Sequence, residues 1–166
     1  MAEFPLDHPQ LVKPLILSPD FKCSDEILSI VAMLSVGDVW LQLHNQTQTQ
    51  ETNMARAKFT HPEGDHLALL KICNQYVLNQ HDCNWPSRNY LSSCALREAS
   101  NIRAQLRLIM ERFDIDIISS DQEKLSVNIR QALVCGFFMQ AAHKERINYC
   151  NVEDGQVNSY FHAYRP

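Results

Sequence analysis

Glycine is scarce in this sequence, and its positions exclude two phosphate-binding loops. Only four glycines occur, at positions 37, 64, 136 and 155. They are too far apart to complete a G-x-x-x-x-G-K-S/T loop or a G-x-G-x-x-G fingerprint, since both need glycines a few residues apart. The sequence also lacks H-E-x-x-H and G-x-S-x-G. Nothing here predicts an independent enzyme, so we expect no catalytic residue and no cofactor site in this chain.

Closely paired cysteines and long apolar runs are absent too. The six cysteines are widely spaced, without a C-x-x-C pair. The best metal candidate combines Cys73, His81, Cys83 and Cys94, but its gaps match no usual zinc spacing, so we predict no metal ligand. Without a secretory signal or an apolar run of about 18 residues, we expect a reducing compartment and no membrane span. The opening Met-Ala-Glu-Phe-Pro is unlike a natural start and suggests a piece of a longer protein.

Charge is distributed unevenly along the chain. The net charge is −4, yet residues 85–113 hold five arginines and two glutamates, a local charge of +3, which leaves −7 for the rest. The total excludes a polycation that coats nucleic acid non-specifically. The basic segment fits either a strip that faces phosphates or a solvated helix face. With 166 residues, of which 45% are hydrophobic, the chain suffices for one domain with a real core.

The segment 125–143 is predicted to be the core helix. Its apolar and small residues recur at steps of three and four, which places them on one helix face. A second apolar set, Val127, Val134, Phe138 and Met139, lies off that face, and a helix that is apolar on most sides is usually buried by several neighbours. Gly136 costs about 1 kcal/mol relative to alanine in mid-helix. We therefore expect another helix to approach closely there.

Shorter elements are predicted around this helix, and a hairpin after it. The first predicted helix covers 9–17, where Pro14 makes it irregular or late to begin. The second has Ser24 as its N-cap and stops before Val36, and the others cover a segment that ends near 59, 65–79, 85–90 and 95–113. Residues 46–50 are predicted to be a polar, mobile stretch. After 143, strand-like residues flank an Asp154-Gly155 turn, the chemistry of a β-hairpin. The predicted fold is an all-α helical bundle around a central buried helix, with a β-hairpin at its C-terminus.

Five stretches, in order, resemble the DEAH-box RNA helicases. The segment 61–70, HPEGDHLALL, is similar to their G/S-D-H-L-T-L-L motif, and 3–7, EFPLD, is similar to the end of their winged-helix domain. The helix CSDEILSIVAMLSV at 23–36 resembles C-S-N-E-I-L-S-I-V-A-M-L-S-V. The segment NIRAQL at 101–106 resembles N-V-R-x-Q-L, and NIRQALVCGFFMQ at 128–140 resembles N-I-R-K-A-L-V-A-G-F-F-M-Q. The resemblance spans nearly the whole chain and is greatest to the pre-mRNA-splicing and ribosome-biogenesis branch.

The resemblance implies a domain organisation. Residues 1–18 would be the end of a winged-helix region with a linking helix, residues 19–146 a helical ratchet domain, and residues 147–166 the start of an OB-fold-like domain. The two ATPase lobes, with ATP and Mg²⁺, would lie upstream in the parent chain, an ATP-dependent helicase of the nucleus and possibly also the cytoplasm. The partners implied are single-stranded RNA, the helicase's own lobes and a glycine-rich activator protein.

The resemblance also implies which residues line an RNA channel. A channel that tracks single strands needs positive charge for phosphates and few base-specific contacts. The predicted RNA-binding residues are Asp65, His66, Arg97, Asn101, Arg103 and Arg107. Each has an alternative: Asp65 as a helix N-cap, His66 as a packing residue, and Arg103 as a partner of Glu111 or Asp114.

The chain departs from the family pattern in ways that bear on function. The family has an arginine before the long helix, where this sequence has Cys94-Ala95-Leu96, and its threonine is Ala68 here. We expect an accessory RNA-channel domain that does not hydrolyse ATP alone. The rival hypothesis is a non-enzymatic helical docking module for activators or other proteins.

Overall fold

The structure is a computed structural model that describes residues 9–41, 46–80, 82–119 and 124–138, together with strand segments at 142–144, 149–151 and 157–158. These residues form seven helices, so the prediction of a mainly helical domain is confirmed. In chain order the helices are α1 (Pro9–Leu17), α2 (Ser24–Leu34), α3 (Gln46–Phe59), α4 (Asp65–Leu78), α5 (Trp85–Arg88), α6 (Ser93–Arg112) and α7 (Leu125–Phe137). None of the described helices combines the length and the apolar character that a membrane crossing requires.

The helix at the centre of the bundle is α2. It packs against α1, α4, α6 and α7. Nine of its eleven residues are buried, including all of Ile27 to Met33. Asp25 and Glu26 occupy its first turn, where negative charge is favourable at the positive end of the helix dipole. The Ser24–Leu34 helix agrees with the prediction, although its N-cap residue is Cys23 instead of Ser24.

The prediction that the 125–143 segment forms the buried central helix is wrong. Only four of the 13 residues of α7 are fully buried, and they lie on one face: Ile129, Ala132, Leu133 and Gly136. On the other side, Val127, Val134 and Phe138 are 44%, 60% and 46% exposed. The reason is packing: within the described residues α7 rests mainly on α1, with a smaller contact to α2.

Gly136 allows α1 and α7 to touch. A Cβ atom at position 136 would clash with the Cγ and Cδ atoms of Pro14 and would lie 2.6 Å from the carbonyl oxygen of Gln10. Pro14 is buried inside α1, so the ring faces α7 directly. The predicted close helix approach at Gly136 is confirmed.

The core around α2 includes Leu106 and Met110 from the C-terminal half of α6. A second core lies at the N-terminal end of α6. There, Val39, Phe59, Ile72, Leu91 and Leu96 are all buried together. An isolated antiparallel bridge joins Trp40 to Leu91, which ties the chain after α2 to the chain before α6. The aromatic rings of Trp85 and Phe59 meet edge to face, with centroids 6.1 Å apart. Trp85 therefore serves as a packing anchor.

The helix limits differ from the prediction in two places. The 46–50 stretch, predicted to be polar and mobile, forms the first turns of α3. The predicted 125–143 helix ends at Phe137, and Ala142–Lys144 form a strand, β1, instead of the end of that helix. Backbone pairing explains the second difference, because His143 lies opposite Cys150 in an antiparallel ladder.

Three short strands follow the helices. They are β1 (Ala142–Lys144), β2 (Tyr149–Asn151) and β3 (Val157–Asn158), in the sheet order β1-β2-β3. In the β2–β3 pair, Tyr149 lies opposite Asn158 and Cys150 opposite Val157. The predicted turn at Asp154-Gly155 lies outside the described residues. The assignment of 147–166 to an OB-fold-like domain, and the limits at 18 and 146, remain predictions.

Candidate nucleic-acid interface

Four of the six predicted RNA-binding residues lie on α6, and the amphipathic pattern of this helix decides where each one points. The hydroxyl of Ser92, the N-cap, accepts a hydrogen bond from the Ala95 amide, which fixes where the helix begins. The buried face consists of Ala95, Leu96, Ala99, Leu106 and Met110. The opposite face carries exposed residues at steps of four and three, here called the outer strip: Arg97, Asn101, Ala104, Leu108 and Arg112.

Arg97 and Asn101 are available to a ligand. Both are exposed, one helical turn apart on the outer strip. Within the described residues neither side chain has a hydrogen bond or an ion pair. An exposed guanidinium with no carboxylate partner is suited to hold a phosphate, and an exposed amide beside it can donate or accept.

Arg103 is fixed in the interface between α2 and α6. Its Nη2 atom lies 2.7 Å from a carboxylate oxygen of Asp25, and its Nε donates to the hydroxyl of Ser29 at 2.8 Å. The Ser29 hydroxyl donates in turn to the Asp25 carbonyl at 2.9 Å. Only 25% of the Arg103 side chain is exposed. Arg103 does have a carboxylate partner, as one alternative expected, but that partner is Asp25 and not Glu111 or Asp114.

Arg107 is held loosely. Its Nε lies 3.2 Å from the carboxylate of Glu111, one turn further along α6, and its Nη1 lies 4.0 Å from Asp25. Arg107 is 47% exposed and Glu111 is 53% exposed. Solvent screens the pair of Arg107 and Glu111, whereas the bonds of Arg103 to Asp25 and Ser29 are partly enclosed.

Asp65 and His66 begin α4. Gly64, with a φ of +125°, is the N-cap residue, so the alternative that Asp65 caps the helix is wrong. Asp65 is exposed in the first turn. His66 is partly enclosed, 6.4 Å from the Phe137 ring, and burial lowers its pKa while the Asp65 carboxylate opposes that shift. A neutral imidazole beside a carboxylate gives this helix start little attraction for phosphate.

The structure brings some of the predicted residues together and separates others. Arg103 and Arg107 meet through the shared carboxylate of Asp25, while Arg97 and Asn101 lie on the exposed outer strip. Asp65 and His66 lie beside α7, and no hydrogen bond or ion pair among the described residues links them to α6. Arg97 and Asn101, which are exposed and have no partner among the described residues, are therefore the strongest candidates.

Sequence reasoning missed the carboxylates at the start of α2. From the sequence, Asp25 is expected only to interact with the positive end of the helix dipole, yet it binds Arg103 across 78 positions of sequence. Its neighbour Glu26 is buried and accepts a hydrogen bond from the Ser119 hydroxyl at 2.5 Å, while its other oxygen has no hydrogen-bond partner among the described residues. The Asp25 amide also donates to the Ile118 carbonyl at 3.2 Å. These bonds fasten the segment after α6 to the start of α2.

The cysteines give no metal centre in the described part of the chain, where no group of three or more ligating side chains converges. Cys73 is buried, Cys83 and Cys94 are exposed, and His81 lies outside the described residues. Burial raises the pKa of the Cys23 thiol to about 12, with a smaller contribution from the Glu26 carboxylate. Cys23 is therefore a protonated packing residue and not a nucleophile.

Comparison with known protein families gives a match over part of the chain. Residues 8–69 match the helicase associated domain (HA2), described as ratchet-like. The matched segment includes α1, α2, α3 and the start of α4, and therefore the central helix of the bundle. A helical, ratchet-like domain of this kind agrees with the resemblance to the C-terminal region of DEAH-box helicases. The match supports an accessory helicase domain.

Proposed function

We propose that this chain is an accessory RNA-channel domain of an ATP-dependent DEAH-box helicase, which guides single-stranded RNA with the outer strip of α6. The observation that carries the proposal is the Arg97 guanidinium, which is exposed beside Asn101 and has no partner in the part of the chain that the structure describes. Single-strand binding without sequence preference relies on cations that contact phosphates and on apolar or aromatic surface that contacts bases.

The outer strip offers both kinds of contact. Arg97 is at one end and Arg112 at the other, separated by about 22 Å at the helical rise of roughly 1.5 Å per residue. Ala104 and Leu108 lie between them, and Leu108 is 66% exposed. Arg112 lies over the ring of Phe113, with its Cζ atom 5.2 Å from the centroid. Nucleobases stack on guanidinium and aromatic planes of this type.

A salt-dependent titration tests the proposal. Labelled oligo(U) is titrated with the chain at two salt concentrations, and we expect affinity to fall steeply as salt rises. Arg97→Gln should weaken binding roughly fivefold, equivalent to about 1 kcal/mol, and reduce the slope of log K against log salt by about 0.7, the value for one lost phosphate contact on a single strand.

The control variant is Lys124→Gln. Lys124 is exposed at the start of α7 and makes no ion pair within the described residues. Lys124→Gln removes one positive charge, as Arg97→Gln does. The affinity of the Lys124→Gln variant for oligo(U) should equal that of the unmodified chain. Arg103→Glu is unsuitable, because it would leave Asp25 facing a like charge in the α2–α6 interface. Absence of binding at the lower salt concentration would overturn the proposal.

The parent protein supplies the rest of this proposed activity. The ATPase lobes would bind ATP and Mg²⁺ and move RNA past the bundle, while this chain contributes no catalytic residue. The parent would act in pre-mRNA splicing or ribosome biogenesis in the nucleus, with a glycine-rich activator as a partner. Asp65 and His66 remain predicted contacts, secondary to Arg97 and Asn101, and Arg107 remains one for the state in which its guanidinium leaves the Glu111 carboxylate.

A second candidate function is docking of proteins without RNA contact. It is favoured by the exposed apolar side of α7, where Val127, Val134 and Phe138 share one helix face. The same titration separates the two functions, since a docking module would leave oligo(U) unbound at either salt concentration.

A further inference from the structure

Arg103 and Arg107 on α6 differ in how strongly other side chains bind them. Arg103 makes two short bonds, to Asp25 and Ser29, in a partly enclosed setting. Arg107 makes one bond of 3.2 Å to a carboxylate that is itself half exposed, and one loose contact of 4.0 Å. An exposed pair contributes little free energy, so Arg107 can exchange its carboxylate for another anion at small cost, whereas Arg103 cannot.

Glu111 is placed where it gives α6 little stability. It lies in the last turn of the helix, and a negative charge there opposes the negative end of the helix dipole. The order of the pair, with the arginine before the acid, is also the weaker orientation for an i,i+4 pair on a helix. The main effect of Glu111 is therefore on the charge of Arg107 and not on folding.

The surface beside the pair adds to this effect. A groove of about 350 Å³ is lined by Arg107, Glu111, Asp114, Ile115, Asp116 and Ile117. Three carboxylates and one guanidinium line this groove, so an approaching phosphate meets net negative charge. Arg97, at the other end of the helix, has no such competitor among the described residues.

We propose that Glu111 is a counter-charge that withholds Arg107 from the RNA strand and thereby sets where the phosphate-binding surface on α6 ends. This inference rests on the proposed RNA-binding function and names its internal competitor. Arg107 lies one helical turn from Ala104 of the outer strip, so a strand held at Arg97 and Asn101 passes within reach of it. The strand gains that contact only when Glu111 releases the guanidinium.

The test compares single and double variants by titration with labelled oligo(U) at low salt. Glu111→Gln should raise affinity about two- to fivefold, which corresponds to the strength of an exposed ion pair. Arg107→Gln alone should change affinity less than twofold, because the guanidinium is already occupied. The double variant should bind oligo(U) with the affinity of Arg107→Gln, because the Glu111→Gln change raises affinity only through the Arg107 guanidinium.

Glu98→Gln is the matched control. Glu98 is exposed on the same helix, next to Arg97, and has no ion pair within the described residues. If Glu111 acted only through the overall charge of the chain, Glu98→Gln and Glu111→Gln would raise the affinity for oligo(U) equally, with or without Arg107→Gln. That outcome would overturn the proposal that Glu111 is a counter-charge to Arg107. If the unmodified chain binds no oligo(U), the proposed function fails first. If the unmodified chain binds and Arg97→Gln weakens it, the two proposals are judged separately.

Discussion

The helices α2 and α7 have similar apolar content but opposite environments. In α2, nine of eleven residues are buried, and these include the polar residues Ser24, Glu26 and Ser29. In α7, four of thirteen are buried, while two valines and a following phenylalanine are exposed. Position in the bundle therefore decides burial here, because among the described residues α2 packs against four helices and α7 packs mainly against α1.

A helix that is apolar on most sides can be covered by its own chain or by another one. Such a pattern predicts that several neighbours will cover the helix, but it does not say which chain supplies them. For α2 the neighbours are in this chain. On the exposed side of α7 the Nζ atom of Lys13 in α1 lies 4.4 Å from the centre of the Phe138 ring. Val127 and Val134 are exposed there as well, so this side is an apolar surface for the docking function considered above.

The largest effect is expected for a truncation in α2. Ile30→Ala removes a side chain with no solvent exposure and should lower the free energy of unfolding by about 2–5 kcal/mol, since it leaves a cavity in the centre of the bundle. Urea unfolding followed by circular dichroism measures it.

The matched control is Ile16→Ala in α1, where the side chain is 38% exposed and the loss should be much smaller. If Ile30→Ala does not fold, Ile30→Val should still show a loss of about 0.5–1.5 kcal/mol. Equal losses at positions 30 and 16 would contradict the central position of α2.

An intermediate effect is expected where α7 touches α1. Gly136→Ala adds a methyl group that meets the Pro14 ring and the Gln10 carbonyl, and neither can move freely. Overpacking of this kind costs about 1–3 kcal/mol, which exceeds the helix-propensity gain of roughly 1 kcal/mol. We expect a lower midpoint in thermal unfolding.

Gly37→Ala is the corresponding control, since a methyl group there would meet nothing within 4 Å. That variant should be neutral or slightly more stable, through a smaller entropy of the unfolded chain. A stabilising Gly136→Ala would show that α1 and α7 are not in close contact.

Local elements could be predicted from the sequence because their signals are local. Periodicity and helix-stop residues gave α1 at its observed limits and α4 to within one residue at its C-terminus. The need for a small residue at Gly136 was also visible, since glycine in mid-helix requires a packing reason. The end of α7 was misplaced, because strand pairing by 142–144 depends on residues that follow.

The interface could be predicted only in part, because its decisive contacts are distant in sequence. The exposed positions of Arg97 and Asn101 follow from the helix period of α6. Nothing local to Arg103 indicates Asp25 as its partner, 78 positions away, and no periodicity predicts how α2 and α6 are aligned. The sequence does not show which of Arg97, Arg103 and Arg107 has a carboxylate partner, whereas the packing of α2 against α6 brings Asp25 to Arg103 and Arg107.

The smallest effect is expected on the exposed side of α7, and it gives the most direct comparison of the two helices. Val31→Ala in α2 and Val134→Ala in α7 make the same chemical change, with exposures of 0% and 60%. Val31→Ala should cost about 2 kcal/mol, from two lost carbon groups and a cavity. Val134→Ala should stay within about 0.5 kcal/mol and could be slightly stabilising, because alanine has the higher helix propensity. Urea unfolding of both variants at two protein concentrations measures these effects. A large loss at Val134 that grows with protein concentration would mean that a second copy covers α7; a large loss independent of concentration would mean that the chain itself buries this side.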